Sequence, residues 1–400
     1  MTHSKKVWYA PNKFESYGEE EIKAVEQCLR DGWLAGFGPR SIEFEEKVSK
    51  YFGKKYGLFV NSGSSACLLA LACLNLPKNC KVITPACTFS TTLAPIIQLG
   101  YRPLFCDVNL TSYVPNIKDI IALLETNEET MFHDVKAIMV PNLIGNKPNW
   151  KFLKEELKRI GREDIYVIED SADTMTYTEE TDVSTTSFYA SHVITAGGQG
   201  GMVMFNDKKQ LLRAKSFRDW GRMGDDSEIM DDRFNHKVDG IPYDHKFLYS
   251  VLGYNMKCSE MNAAFGLVQL EKFNTFEHIR RANFERYLEN LKDVKEIILP
   301  DDSIKPNWLA IPLQCDYRLE LLTYLEKQNI QTRVTFAGNV TRHPIYREYL
   351  QEFENSDTIM KNGFLLGAHH GMNIEDVDYV CDKIKEFFEY KELEHRASRV

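Results

Sequence analysis

Five short apolar runs, at residues 56–60, 81–84, 103–107, 135–140 and 165–170, alternate with stretches whose apolar residues recur at helical spacing. Runs this short, apolar on both faces, read as buried strands, and the amphipathic stretches between them read as helices laid on either side of a mostly parallel sheet. The fold class that follows is α/β, with a large domain over residues 1–256. A long helix expected over 259–291 then leads into a smaller α+β domain within residues 257–400, with strands at 296–299, 308–313 and 331–335 and helices at 317–328 and 374–390. The tail from 392 to 400 reads as frayed.

Ligands of such sheets bind at the carboxyl ends of the strands, which gives particular loops their meaning. Asn61-Ser62-Gly63-Ser64-Ser65-Ala66 joins a strand to a helix, so its amides and hydroxyls either hold a phosphate or, with Ser62, simply cap the helix. Asp170 ends another strand, where it either faces the same crevice or serves as a cap. Residues 187–201, Ser-Phe-Tyr-Ala-Ser-His-Val-Ile-Thr-Ala-Gly-Gly-Gln-Gly-Gly, lead from a strand end into a turn of small residues around His192. Its glycines suit either close approach of a flat, phosphorylated ligand or a purely structural turn at positive φ.

Charge narrows the partners. A net charge of −9 gives no basic face for nucleic acid or an anionic membrane, and there is no 18-residue apolar run. The nine cysteines (28, 67, 73, 80, 87, 106, 258, 315 and 381) are odd in number and lack metal-clip spacing, which points to a reduced, cytoplasmic chain with no metal site. Further expectations are helices at 14–30 and to residue 52, the second capped by Ser41, and a helix over 208–220. An acidic surface loop is expected around Asp225, Asp226, Glu228, Asp231 and Asp232.

Taken in order, Asn61–Ala66, Ile168-Glu169-Asp170, Ser187-Phe188-Tyr189, the glycine turn, Gly253-Tyr254-Asn255 and Thr332–Asn339 resemble the sugar-nucleotide aminotransferase and dehydratase family of fold type I pyridoxal-phosphate enzymes. The resemblance spans roughly residues 15–390. In that family the position of His192 is normally the lysine that binds the cofactor covalently, and no lysine lies between Glu180 and Asp207. The branch with histidine there is similar to the 4-keto-6-deoxy sugar nucleotide 3-dehydratases, and Phe217–Arg222, Tyr243–Lys246 and Phe336–Asn339 bring the likeness nearest to the CDP-sugar dehydrases.

The resemblance implies pyridoxal 5′-phosphate or pyridoxamine 5′-phosphate as cofactor and His192 as the acid–base group. It implies Asp170 at the pyridinium nitrogen, Phe89 on the ring face, Asp173 near the phenolic oxygen, and Gly63, Ser64 and Ser187 at the phosphate, with Asn255 supplied by the second subunit of a homodimer. His245 and Arg342 are expected at the nucleotide-diphosphate sugar, and glutamate is the implied amino donor. An amino-sugar-forming aminotransferase and a non-catalytic cofactor- or sugar-binding homologue are the alternatives. Two features depart from the CDP-sugar dehydrases. The cysteines of their iron–sulfur cluster are absent, with Ser171 and Ala172 in one region and no cysteine from Met223 to Phe234, and the glycine turn is one residue longer, with Gly198-Gln199 where relatives have glutamate.

Overall fold

The computed structural model describes residues 5–11, 15–125, 134–224 and 227–397. Seven strands form the large sheet: β1 (Tyr56–Val60), β2 (Lys81–Pro85), β3 (Arg102–Cys106), β4 (Val135–Pro141), β5 (Tyr166–Ser171), β6 (Val183–Ser187) and β7 (Gly201–Phe205). Their spatial order is β1-β7-β6-β5-β4-β2-β3. All pairs from β6 to β3 are parallel, and β7 runs antiparallel to both of its neighbours. β4 and β5 are buried almost throughout, as strands covered on both faces must be.

The helices are α1 (Glu19–Asp31), α2 (Pro39–Tyr51), α3 (Gly63–Ala72), α4 (Ser90–Gln98), α5 (Ile117–Glu125), α6 (Trp150–Arg159), α7 (Lys208–Arg218), α8 (Met230–Arg233), α9 (Glu260–Leu291), α10 (Arg318–Lys327), α11 (Glu354–Asn362) and α12 (Ile374–Ala397). A hairpin of β8 (His236–Val238) and β9 (Ile241–Tyr243) follows α8. A three-stranded antiparallel sheet is built from β10 (Ile311–Gln314), β11 (Thr332–Val334) and β12 (Gly363–Leu366), with β12 in the middle. α9 packs against α1, α2 and α12, so one helix joins the two ends of the chain.

Register sets up the site. Pairing of Pro141 with Asp170, Asp170 with Thr185, Ser187 with Gly201 and Val60 with Gly201 aligns these residues along one edge of the sheet. The carboxyl ends of β1, β4, β5 and β6 therefore converge.

Several expectations need correction. Ser41 is not the cap of α2: the helix starts at Pro39 after Gly38, and Ser41 is buried within its first turn. The anion at that helix start is Glu260, which accepts from the Gly38, Arg40 and Ser41 amides at 3.0, 2.9 and 3.1 Å. Proline fits an N1 position because the amide it lacks would be unpaired there. Residues 296–299 make only a single bridge, Ile298 to Gln314, and no strand. Asp231 and Asp232 lie in α8 rather than a loop, whereas Asp225 and Asp226 fall outside the described residues. α12 continues through residue 397 instead of fraying at 392. Sequence patterning did not reveal β7, β12 or α11.

Candidate active site

The edge is open beside the start of α3. Ser62 caps that helix, its Oγ accepting from the Ser65 amide at 3.1 Å, which leaves the first amides of the helix directed at the crevice. Ser62 therefore acts as the cap, and Gly63 and Ser64 form the start of the helix beside it. Gly63 cannot be larger, because a Cβ there would lie 2.6 Å from Cβ of Ser187. Ser64 is exposed, and its hydroxyl is 3.3 Å from that of Thr91. Gly63, Ser64, Thr91 and Ser187 therefore surround one helix N-terminus, the arrangement that receives a phosphate.

Asp170, at the end of β5, is buried. Its carboxylate accepts from Thr92 Oγ1 at 2.8 Å, the Ala172 amide at 3.2 Å and Thr185 Oγ1 at 3.3 Å. Burial pushes the carboxyl above its ordinary range, and these donors oppose the shift only in part. No cation among the described residues pairs with it. A buried carboxylate held by neutral donors next to an anion-receptive helix start is complementary to a planar, cationic, phosphorylated ring. Phe89 stands at the start of α4 with its side chain 56% exposed, 6.1 Å from the Phe336 ring, so an aromatic face is open to that ring. The residues fit pyridoxal or pyridoxamine phosphate.

Asp173 accepts from the Ile144 amide at 2.8 Å. Burial pushes its carboxyl up to about 7, the Ile144 amide opposes, and the nearby Asp170 charge adds to the rise. Ile144 takes a positive φ of 60°, a strained conformation for a β-branched residue, in the loop that carries this amide.

His192 lies in the loop between β6 and β7. Its Nδ1 is 3.3 Å from the Ser187 carbonyl. A carbonyl can only accept, so Nδ1 carries the proton and Nε2 is left as the basic nitrogen. Burial drives the imidazole down to about 4; the Ser187 carbonyl opposes this and the Arg280 charge reinforces it. The glycine turn after it needs its glycines: Gly197, Gly198 and Gly200 have φ of 69°, 97° and 127°, and a Cβ on Gly201 would lie 2.3 Å from the Ser62 carbonyl. The turn is pinned by Asn262, whose Nδ2 donates to the Ala196 carbonyl at 2.6 Å, and by the Gly198 amide donating to Thr195 Oγ1 at 2.9 Å.

Gly63, Ser64, Phe89, Asp170, Asp173, Ser187 and His192 thus share one end of the sheet. Three other sequence candidates lie elsewhere in the chain. Asn255 is exposed and bridged to Asp219. His245 is buried beside Gly224 and the His236 ring. Arg342 is engaged by Asp357, with Nη2 to Oδ2 at 2.9 Å, and this guanidinium holds the Asp357 carboxyl down at about 2. Sequence reasoning missed Thr92, Thr185 and Ile144, which hold the two aspartates, and also Arg280. Threonines within strands and helices carry no sequence signal that would mark them. The nine cysteines are free and buried, and Ser171 is tied to Glu169 at 3.0 Å and to Asn142. Without thiolates at residues 171 and 172, this region does not fit an iron–sulfur cluster.

Parallel β2–β6, antiparallel β7, the helix-start cradle and the buried aspartate define a pyridoxal-phosphate enzyme of fold type I. The chain belongs to the DegT/DnrJ/EryC1/StrS aminotransferase family, whose model matches residues 15–385. It is 36% identical to the lipopolysaccharide biosynthesis protein RfbH of Salmonella typhimurium, over 93% of this chain and 90% of that protein. Identity to the dTDP-4-dehydro-2,6-dideoxy-D-glucose 3-dehydratase of Saccharopolyspora spinosa is 34%, over 92% of this chain and 84% of that one. The solved structure of the Escherichia coli GDP-4-keto-6-deoxy-D-mannose-3-dehydratase with bound hydrated PLP superimposes with a TM-score of 0.82 at 25% identity, covering 95% of this chain and all of the other.

Proposed function

We propose that this chain removes the C3 hydroxyl from a nucleotide-linked 4-keto-6-deoxyhexose, using pyridoxamine phosphate, with His192 as the group that moves the proton. The observation that carries this reading is His192 itself, a neutral imidazole with a free Nε2 where the family resemblance implies a lysine. An imidazole cannot hold the cofactor covalently, but it can take and return a proton.

When bound, the cofactor supplies an amine for the sugar ketone and a ring that accepts electrons. Asp170 would face the ring nitrogen and keep it protonated, Phe89 would cover one face, and Asp173 would lie toward the phenolic oxygen. Gly63, Ser64 and Ser187 would hold the phosphate, with Asn255 of a second subunit reaching the same group. Nε2 of His192 accepts a proton and, once charged, is a strong acid able to donate it to the departing C3 oxygen. His245 and Arg342 are proposed for the nucleotide end of the substrate.

Glutamate is the proposed donor that restores the amine, the proposed assembly is a homodimer, and the proposed compartment is the cytoplasm. Support for the dimer comes from Trp33, Leu34, Phe37 and Ile42, about half exposed, and from Leu252, 95% exposed. Among the described residues no helix is long and apolar enough to cross a membrane. An amino-sugar-forming reaction is the second reading, favoured by the family's membership in the aminotransferases.

The test is mass spectrometry of products after incubation with pyridoxamine phosphate and GDP-, CDP- or dTDP-linked 4-keto-6-deoxyhexoses. Loss of one sugar oxygen without gain of nitrogen is expected. A product that keeps the C3 oxygen and carries nitrogen at C4 would establish the second reading instead.

A further inference from the structure

Residues 5–11 precede the region matched by the family model and are bonded to residues 329–331. Val7 bridges Ile330, its amide donating to the Asn329 carbonyl at 2.9 Å and its carbonyl accepting from the Gln331 amide at 2.8 Å. The Tyr9 amide donates to Gln331 Oε1 at 3.1 Å. His369 Nε2 donates to the Trp8 carbonyl at 3.0 Å, and its Nδ1 accepts from the Gly371 amide at 3.1 Å, so this ring is neutral with both nitrogens used. Lys5 reaches Glu15 at 3.3 Å and Asp376 at 3.5 Å. Gly367 leaves room for the segment, since a Cβ there would lie 2.3 Å from the Trp8 carbonyl. The segment is a strap paired with residues 329–331, just ahead of the edge strand β11.

The strap delivers Tyr9. Its ring lies 5.5 Å from the Arg333 guanidinium, and the phenol is within electrostatic reach of Asp173, Arg333 and Arg280. Burial and the Asp173 charge hold the phenol well above its ordinary range, so it stays protonated as a permanent donor. Its hydroxyl bonds to no described residue.

A backbone relay ties the same wall together. Asp173 accepts from the Ile144 amide, the Ile144 carbonyl accepts from the Leu309 amide at 2.8 Å, and the Leu309 carbonyl accepts from Arg280 Nη1 at 2.9 Å. Nε and Nη2 of Arg280 are unpartnered but sealed inside the protein. Tyr9 and Asp173, both half-buried, are therefore the polar groups of this wall that can meet a ligand.

We propose that the strap completes the substrate pocket and that the Tyr9 hydroxyl donates a hydrogen bond to an oxygen of the bound hexose beside Asp173. This rests on the site being one for a nucleotide-linked keto-deoxyhexose, as proposed above. A deoxyhexose offers hydroxyl and carbonyl acceptors, and a neutral donor beside two fixed cations suits them.

Tyr9→Phe removes only the hydroxyl and leaves the ring under Arg333 and the strap's backbone bonds in place. In full-length protein loaded with pyridoxamine phosphate, Kd and KM for GDP- and CDP-linked 4-keto-6-deoxyhexoses are expected to rise about tenfold. Affinity for pyridoxamine phosphate and the melting temperature are expected to be unchanged. Sugar-nucleotide binding within twofold of the unaltered protein would overturn the proposal, as would an equal loss of cofactor affinity, which would mark a structural role. Unaltered protein that binds pyridoxamine phosphate but none of the GDP-, CDP- and dTDP-linked 4-keto-6-deoxyhexoses would overturn the functional reading and this one together.

Discussion

His192 donates through Nδ1 to the Ser187 carbonyl and is held down at about 4, and a pH dependence follows. The imidazole is the required base only when unprotonated. The acid limb of kcat/KM is therefore expected near pH 4 rather than near the ordinary histidine value of ~6.5. A limb at 6.5 in a pH-rate profile would show that the imidazole is not desolvated as described. Stability carries the same sign. His192, His369 and His370 are lowered to about 4, 3 and 2, so the unfolded chain binds more protons than the folded one below pH ~6.5. Stability is full above that pH and is lost as pH falls, by on the order of 1 kcal/mol per unit for the buried His369 ring and by less for the half-buried His192 and His370. Urea midpoints at pH 7 and pH 5 check this, with the lower midpoint expected at pH 5. Asp170→Asn removes the carboxylate held by Thr92 and Thr185. Fluorescence titration is expected to show pyridoxamine phosphate binding weakened by about 10²–10³-fold, the range for one partner lost from a buried charge pair.

The start of α2 shows what patterning can and cannot reveal. Ser41 has the right chemistry for a cap and sits near a helix start, but the carboxylate that meets those amides belongs to Glu260, more than two hundred residues away. Ser41→Ala is expected to change stability by less than about 0.5 kcal/mol, because its buried Oγ has no partner. Glu260→Ala leaves three amides without an acceptor and is expected to cost about 3 kcal/mol or more. Thermal melts of the two variants separate the assignments. The five apolar runs of the large sheet were legible because burial on both faces leaves an unbroken apolar signature. β12 was not, since Gly363–Leu366 is only four residues long and sits directly behind α11. Among site residues, those at strand ends and helix starts, Asp170, Ser187 and Gly63, could be read from position. Thr92 and Ile144 could not, because their roles arise from contacts between distant segments.

Considered entire, the chain gathers Gly63, Ser64, Asp170 and Ser187 at one end of the large sheet and leaves Asn255 and a set of large apolar side chains exposed. Sedimentation equilibrium is expected to give twice the 46.2 kDa of one chain, and a monomer with full activity would contradict a shared site. The iron–sulfur chemistry suggested by the CDP-sugar likeness would need cysteines where the chain has Ser171 and Ala172. Prolonged chelation is therefore expected to leave turnover within experimental error of the untreated enzyme. A visible-range charge-transfer band lost on chelation together with activity would contradict this.

Everything proposed for catalysis depends on His192 standing where a covalently bound lysine would otherwise be. Protein loaded with pyridoxal phosphate, reduced with borohydride and weighed intact by mass spectrometry is expected to retain the mass of the unmodified chain. His192→Lys, treated in the same way, is expected to gain the mass of one reduced cofactor. A stoichiometric cofactor adduct on a lysine of the unaltered protein would contradict the assignment of His192.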